Sequence, residues 1–108
     1  MQDLMNELES KLNMLETSVK MLRKSGTAYA QAERDYKVLL REECLKLRDK
    51  GEAVGMIDKT AYGTPSVAQA RFNRDVAECT YFANKEAINV YKLQIKILNE
   101  QIGREWNG

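Results

Sequence analysis

The opening heptad of this chain restricts its fold more than any other feature. Met1, Met5, Leu8, Leu12, Leu15, Val19 and Leu22 follow one another at alternating steps of four and three. An α-helix places such residues on one stripe, whereas a strand would scatter them over both faces. The stripe has to be covered by another helix, as in a coiled coil. One Pro and six Gly in 108 residues, with Leu, Ala, Glu, Lys and Arg prominent, extend the same reading to the rest of the chain. The expected class is all-α, a single domain (1–108) built as a long antiparallel helical hairpin or three-helix coiled-coil-like bundle.

Three helices are expected. The first, about 2–24, ends at "RKSG", where Gly26 suits a left-handed cap and the basic residues suit the negative end of the helix dipole. Thr27 then caps a second helix, about 27–50, with Tyr29, Ala32, Tyr36, Leu40, Cys44 and Leu47 on one stripe, closing at Gly51. The stretch 51–64, "GEAVGMIDKTAYGT", holds three glycines without a helical period and reads as the main loop. Its Val54, Met56, Ile57 and Tyr62 suggest that it packs back over the bundle end or lines a pocket there. Thr64-Pro65 is a start signal for a third helix, about 65–106, because proline at the first helical position gives up an N–H that lacks a partner anyway.

Pairing the second and third helices antiparallel across this loop makes facing residue numbers sum to about 115 or 116, which sets Cys44 against Phe72, Leu40 against Val76 and Tyr36 against Cys79. The flanking charges fit that register: Glu43 faces Arg71, Glu42 faces Arg74, Arg41 faces Asp75 and Lys37 faces Glu78. It also keeps Cys44 and Cys79 about 10 Å apart, beyond disulfide reach, so both thiols are expected free and buried. Beyond Ala87 the third helix has two apolar edges: Val90, Leu93 and Ile97 on one, and Tyr91, Ile95, Leu98 and Ile102 on the other. The first helix, either continuing the second or folding back, can cover one edge; the other is expected to meet a second subunit, making a homo-oligomer.

Several functions are disfavoured by what the chain lacks. It has no histidine and two cysteines, so a tetrahedral metal site within one subunit and Ser-His or Cys-His nucleophile pairs are not available. Asp75 and Glu78 would face Arg41 and Lys37 in the expected register, which lowers their pKa values and leaves neither a good general acid. No catalytic residue, metal or cofactor is expected, and the protein is read as a non-enzyme. The net charge of +1 gives no basic stripe and argues against direct nucleic-acid binding, although residues 20–50 carry nine basic and five acidic residues. No window approaches about eighteen consecutive apolar residues, and the amphipathic, acidic N-terminus is no signal peptide, so neither membrane span nor export is expected.

The residues that could bind a ligand are few. Arg71 and Arg74 could clamp a phosphate through their planar forks, or pair with Glu43 and Glu42; the structural role is favoured, with some donors left over. Lys59 and Tyr62, in the loop before the positive end of the third helix, suit an anion. Tyr36, Tyr62, Tyr81 and Phe82 are candidates to stack on a base, Tyr81 lying near Arg34 in the expected register, although core packing is favoured for Tyr36. Asn84, Asn89 and Gln94 interrupt the apolar edges, where polar residues more often fix register or oligomer order than touch a ligand.

The runs "RFNRDVAE" and "KEAINVYKLQIKILNEQIGREW", with "AYAQAERDYK" upstream, resemble a group of small helical proteins of bacteriophages and prophages of Gram-positive bacteria over residues 26–107. The resemblance implies a bacterial host cytoplasm and accessory genes near phage recombination, and it carries no catalytic motif. By analogy of size, origin and assembly, the expected function is a homo-oligomeric anti-defence sponge that sequesters a small nucleotide-type immune signal between subunits. The alternative is an accessory protein of phage DNA recombination or replication, or an inhibitor acting on another protein through its helix faces.

Overall fold

A computed structural model describes residues 1–108 and is helical almost throughout. Helix α1 (Gln2–Asp49) is followed by a 3₁₀ turn (Val54–Met56), a short helix α2 (Ile57–Tyr62) and helix α3 (Pro65–Asn107). No strand is present, and the class is the expected all-α helical hairpin. None of the helices is long and apolar enough to cross a membrane.

The chain forms two compact units, one of Met1–Ser25 with Tyr81–Gly108, the other of Gly26–Thr80. Both α1 and α3 run through the division, so the expected break at Gly26 does not occur. A single glycine in a helix costs only about 1 kcal/mol, which packing on either side readily offsets. Ser25, which would otherwise tempt the backbone to turn, is buried, donates its hydroxyl to the Leu22 carbonyl at 3.1 Å and accepts the Asn84 side-chain amide at 2.9 Å.

The reversal happens at Gly51. Its φ of 84° is the only positive φ in the chain. The Gly51 N–H bonds to the Arg48 carbonyl and the Glu52 N–H to the Leu47 carbonyl, the two bonds of a Schellman cap. The chain turns back within a few residues, and α2 then lies along the end of α1. There the Thr64 hydroxyl lies 3.4 Å from the Glu43 carboxylate and the Cys44 thiol 3.8 Å from that of Asp58. Gly51→Ala has room for its methyl group but must hold a left-handed backbone. It is expected to lose about 1 kcal/mol of stability, read as a lower urea midpoint at unchanged slope.

This turn overturns the expected register. The observed pairs are Tyr29 with Glu78, Glu33 with Arg74, and Tyr36 with Val67 and Ala70. They are displaced by two to three helical turns from the pairing of Tyr36 with Cys79. The expectation centred the hairpin on the middle of 51–64, whereas it is centred just after Gly51, and α2 supplies the start of the returning arm. Consequently Phe72, Val76 and Cys79 lie exposed instead of in the seam. Both cysteines are free, but only Cys44 is even partly buried.

In the unit of Gly26–Thr80, Tyr36, Val67 and Ala70 form the core, with Leu39 and Leu40 packed on it. Ala61 of α2 is fully buried as well. In the other unit, Ile88 and Leu98 of α3 are buried, and Tyr91, Ile95 and Ile102 half-buried beside them. On α1 the covered positions are Leu4, Leu8, Lys11, Leu15, Ser18, Leu22 and Ser25, a stripe rotated from the expected seam. Met1, Met5, Leu12 and Val19 of that seam face outward. The Asn84 amide joins α3 to Ser25 of α1 across the seam within this unit.

Candidate functional site

The candidate residues in the unit of Gly26–Thr80 form two adjacent aromatic–guanidinium pairs. Tyr62 ends α2 and Arg71 lies in the second turn of α3, so the Gly63–Thr64 break between the helices folds one onto the other. Arg71 donates from Nη1 to the Tyr62 carbonyl at 2.9 Å and stacks its guanidinium 3.7 Å above the Tyr62 ring. That geometry is both a C-terminal cap for α2 and a cation–π contact. Tyr62 is about half exposed, at 48%, so one ring face and the remaining guanidinium donors border solvent. Lys59 lies on α2 one turn before Tyr62 and is exposed.

Arg74 is held more firmly. It donates from Nε and Nη2 to one Asp75 oxygen, at 3.1 and 2.9 Å, has Glu33 at 3.7 Å, and lies 4.5 Å above the buried Tyr36 ring. The Asp75 hydrogen bonds raise its pKa above the usual arginine value, against a smaller opposing effect of burial. Two carboxylates and an aromatic face leave little of this guanidinium for a ligand. Tyr29 donates to Glu78 at 3.1 Å, and that bond, followed by desolvation, raises the phenol pKa. Glu78 is thereby a partner of Tyr29 and not of Lys37, which pairs with Glu33.

Arg71 and Arg74 thus meet neither Glu43 nor Glu42. Arg34 lies 3.5 Å from its neighbour Asp35 at the surface. Tyr81 belongs to the other unit, where it meets Phe82 edge-on with ring centroids 5.5 Å apart and Lys85 lies near both rings. Of the six candidate residues, Tyr62 and Arg71 are joined, Arg74 is committed to the core edge, Lys59 and Arg34 are surface groups, and Tyr81 belongs to the other unit.

Cys44 gives no support to nucleophile chemistry. Burial and the nearby Asp58 carboxylate push the Cys44 thiol pKa up, which disfavours the thiolate. No three Asp, Glu, His or Cys side chains are gathered as metal ligands would be.

Several large apolar side chains of α1 and α3 are on the surface. Phe72 and Val76 in one unit, and Val90, Leu93 and Ile97 in the other, stand out from α3, as Met5, Leu12 and Val19 do from α1. Beside Val90 lies an open groove of about 620 Å³ lined by Met14, Ala83, Glu86, Ala87 and Tyr91. The class defined by fold and surface is a helical-hairpin protein with unpartnered apolar helix faces. No protein-family model, curated protein or solved structure matches the chain.

Proposed function

We propose that this is a non-enzymatic interaction protein that works by laying the apolar faces of its long helices against helices of a protein partner. One observation carries the reading: large apolar side chains at heptad spacing project outward along α1 and α3, where a lone chain leaves them in water. The missing histidines, which leave Cys44 and Cys79 without an imidazole base, support binding over catalysis. A bacterial cytoplasm, with a role beside phage recombination or in blocking a host enzyme, is the setting in which we place it.

Photo-crosslinkers at Leu12 and at Leu93, in cells that make the protein, test this. The expected result is one or a few discrete adducts, containing either a second copy or one other protein. Diffuse, low-yield labelling at both positions equal to that at exposed Lys20 would overturn it.

Capture of a nucleotide-type immune signal is a second reading, favoured by the half-exposed Tyr62 ring with Arg71 stacked on it. A base could cover the open ring face while the remaining Arg71 donors and Lys59 take phosphate oxygens. Thermal shifts against cyclic and ADP-ribose-derived nucleotides check it. A ligand at about 100 times its Kd adds about 2.7 kcal/mol, which reads as a rise of several degrees in Tm. Tyr62→Ala should abolish the rise, and no rise with any nucleotide at millimolar concentration counts against this reading.

A further inference from the structure

We propose that the partner of α3 is a second copy of the same chain, with Phe72, Val76 and Cys79 of one copy packed antiparallel against Val90, Leu93 and Ile97 of the other. The proposal rests on the helix-face reading and names the occupant of one of those faces.

The starting point is spacing. Phe72, Val76, Cys79, Ala83, Glu86, Val90, Leu93 and Ile97 follow at steps of four and three without a break, and all of these positions are exposed or border the open groove beside Val90. Phe72 is 62% exposed and Leu93 58%. They lie on the other side of α3 from its covered residues, such as Asn84, Ile88, Tyr91, Ile95 and Leu98. A coiled-coil seam of this kind is therefore complete on α3 except for its partner helix.

A seam with these steps reads the same in both directions, so a second copy running antiparallel meets it knob for knob. Phe72 then faces Ile97, Val76 faces Leu93, Cys79 faces Val90 and Ala83 faces Glu86, each contact made between a residue of one copy and a residue of the other. Charge decides between orientations. In the antiparallel pair the flanking Asp75 of one copy lies beside Lys96 of the other, and Glu86 meets a small alanine with room to reach water. In a parallel pair Glu86 would face Glu86 and Asp75 would have Thr80 as its flanking neighbour. Opposite flanking charges set orientation in helix pairs, and like charges in one layer oppose it.

Both triplets lie on the one continuous helix α3 (Pro65–Asn107). When the same contact closes back on itself the product is a twofold dimer; when it does not, it propagates into a filament.

Disulfide trapping tests this directly. With Cys44→Ser in place, Cys79 is the one remaining thiol and faces Val90 of the other copy, so mild oxidation should leave the chain uncrosslinked. Adding Val90→Cys should convert most of it to disulfide-linked species. Leu93→Asp, at an exposed position that leaves the fold intact, should shift the wild-type sedimentation peak from dimer or larger to monomer with unchanged helical circular dichroism. Efficient Cys79–Cys79 linkage in the Cys44→Ser protein would show a parallel pair and overturn the proposal. So would a monomeric wild type at about 100 µM, or failure of the Val90→Cys variant to crosslink. Adducts of the Leu12 or Leu93 crosslinker with a different protein, in that event, would leave the helix-face reading standing while removing this one.

Discussion

Tyr36→Ala is expected to remove about 3 to 4 kcal/mol from the stability of the unit in which it lies, the range seen when a large buried aromatic is truncated. Tyr36 is 7% exposed and is the only aromatic ring in the small core made with Val67 and Ala70. Leu39 and Leu40 pack on the same cluster, so truncation opens a cavity that one thin layer of side chains cannot collapse to fill. The ring has a second role, because the Arg74 guanidinium lies 4.5 Å above it and keeps Glu33 and Asp75 in its reach. Tyr36→Phe keeps both the volume and the aromatic face and is expected to stay within about 0.5 kcal/mol of wild type. Urea denaturation followed by circular dichroism separates them. Equal losses for the two variants would mean that the hydroxyl, and not the ring, holds this region together.

The helical class was legible because heptads have no other economical solution. Even so, α1 packs through a stripe rotated from the one its heptads predict. The expected stripe of Met1, Met5, Leu8, Leu12, Leu15, Val19 and Leu22 shares Leu8, Leu15 and Leu22 with the covered stripe, while Met5, Leu12 and Val19 point outward. The covered stripe includes Lys11, Ser18 and Ser25, so apolar periodicity alone selects the more apolar stripe beside it. The Gly26 break failed for a different reason: tertiary packing outweighs a local propensity of about 1 kcal/mol.

The register departs further from expectation, and the cause is local. A hairpin's register follows from where the chain turns, and the Gly51 cap places that turn at the beginning of the 51–64 stretch. Asp58 and the stretch "DKTAY" contain the makings of the short α2, but six residues are too few for a helical period to show. The charge pairing that supported the wrong register was a coincidence permitted by a chain that is 31% charged, in which several antiparallel offsets set acids opposite bases. Glu33 with Arg74 satisfies the observed register as well as Glu42 with Arg74 satisfied the expected one. Of the candidate site, Tyr62 and Arg71 were singled out for an anion, but their stacking on each other depends on the Gly63–Thr64 break and on α2, neither of which the residue pattern specified.

The same locality governs how the protein should come apart. Leu98 is 5% exposed, the most deeply covered large apolar side chain in the unit of Met1–Ser25 and Tyr81–Gly108. Leu98→Ala is expected to destabilise that unit by about 2 to 3 kcal/mol, at the lower end for buried leucines because a two-helix seam relaxes more easily than an enclosed core. In hydrogen exchange the loss should concentrate in Tyr81–Asn107 and in the facing part of α1. Amides of the Tyr36, Val67 and Ala70 region should keep most of their protection, because each unit buries its own side chains and proteins open in local cooperative pieces. Tyr36→Ala should give the reverse pattern. If both variants weaken protection uniformly along α1 and α3, the continuous helices transmit the loss and the two units unfold as one. If each loss stays local, a partner bound to one exposed face can order or loosen its own unit while the other remains folded.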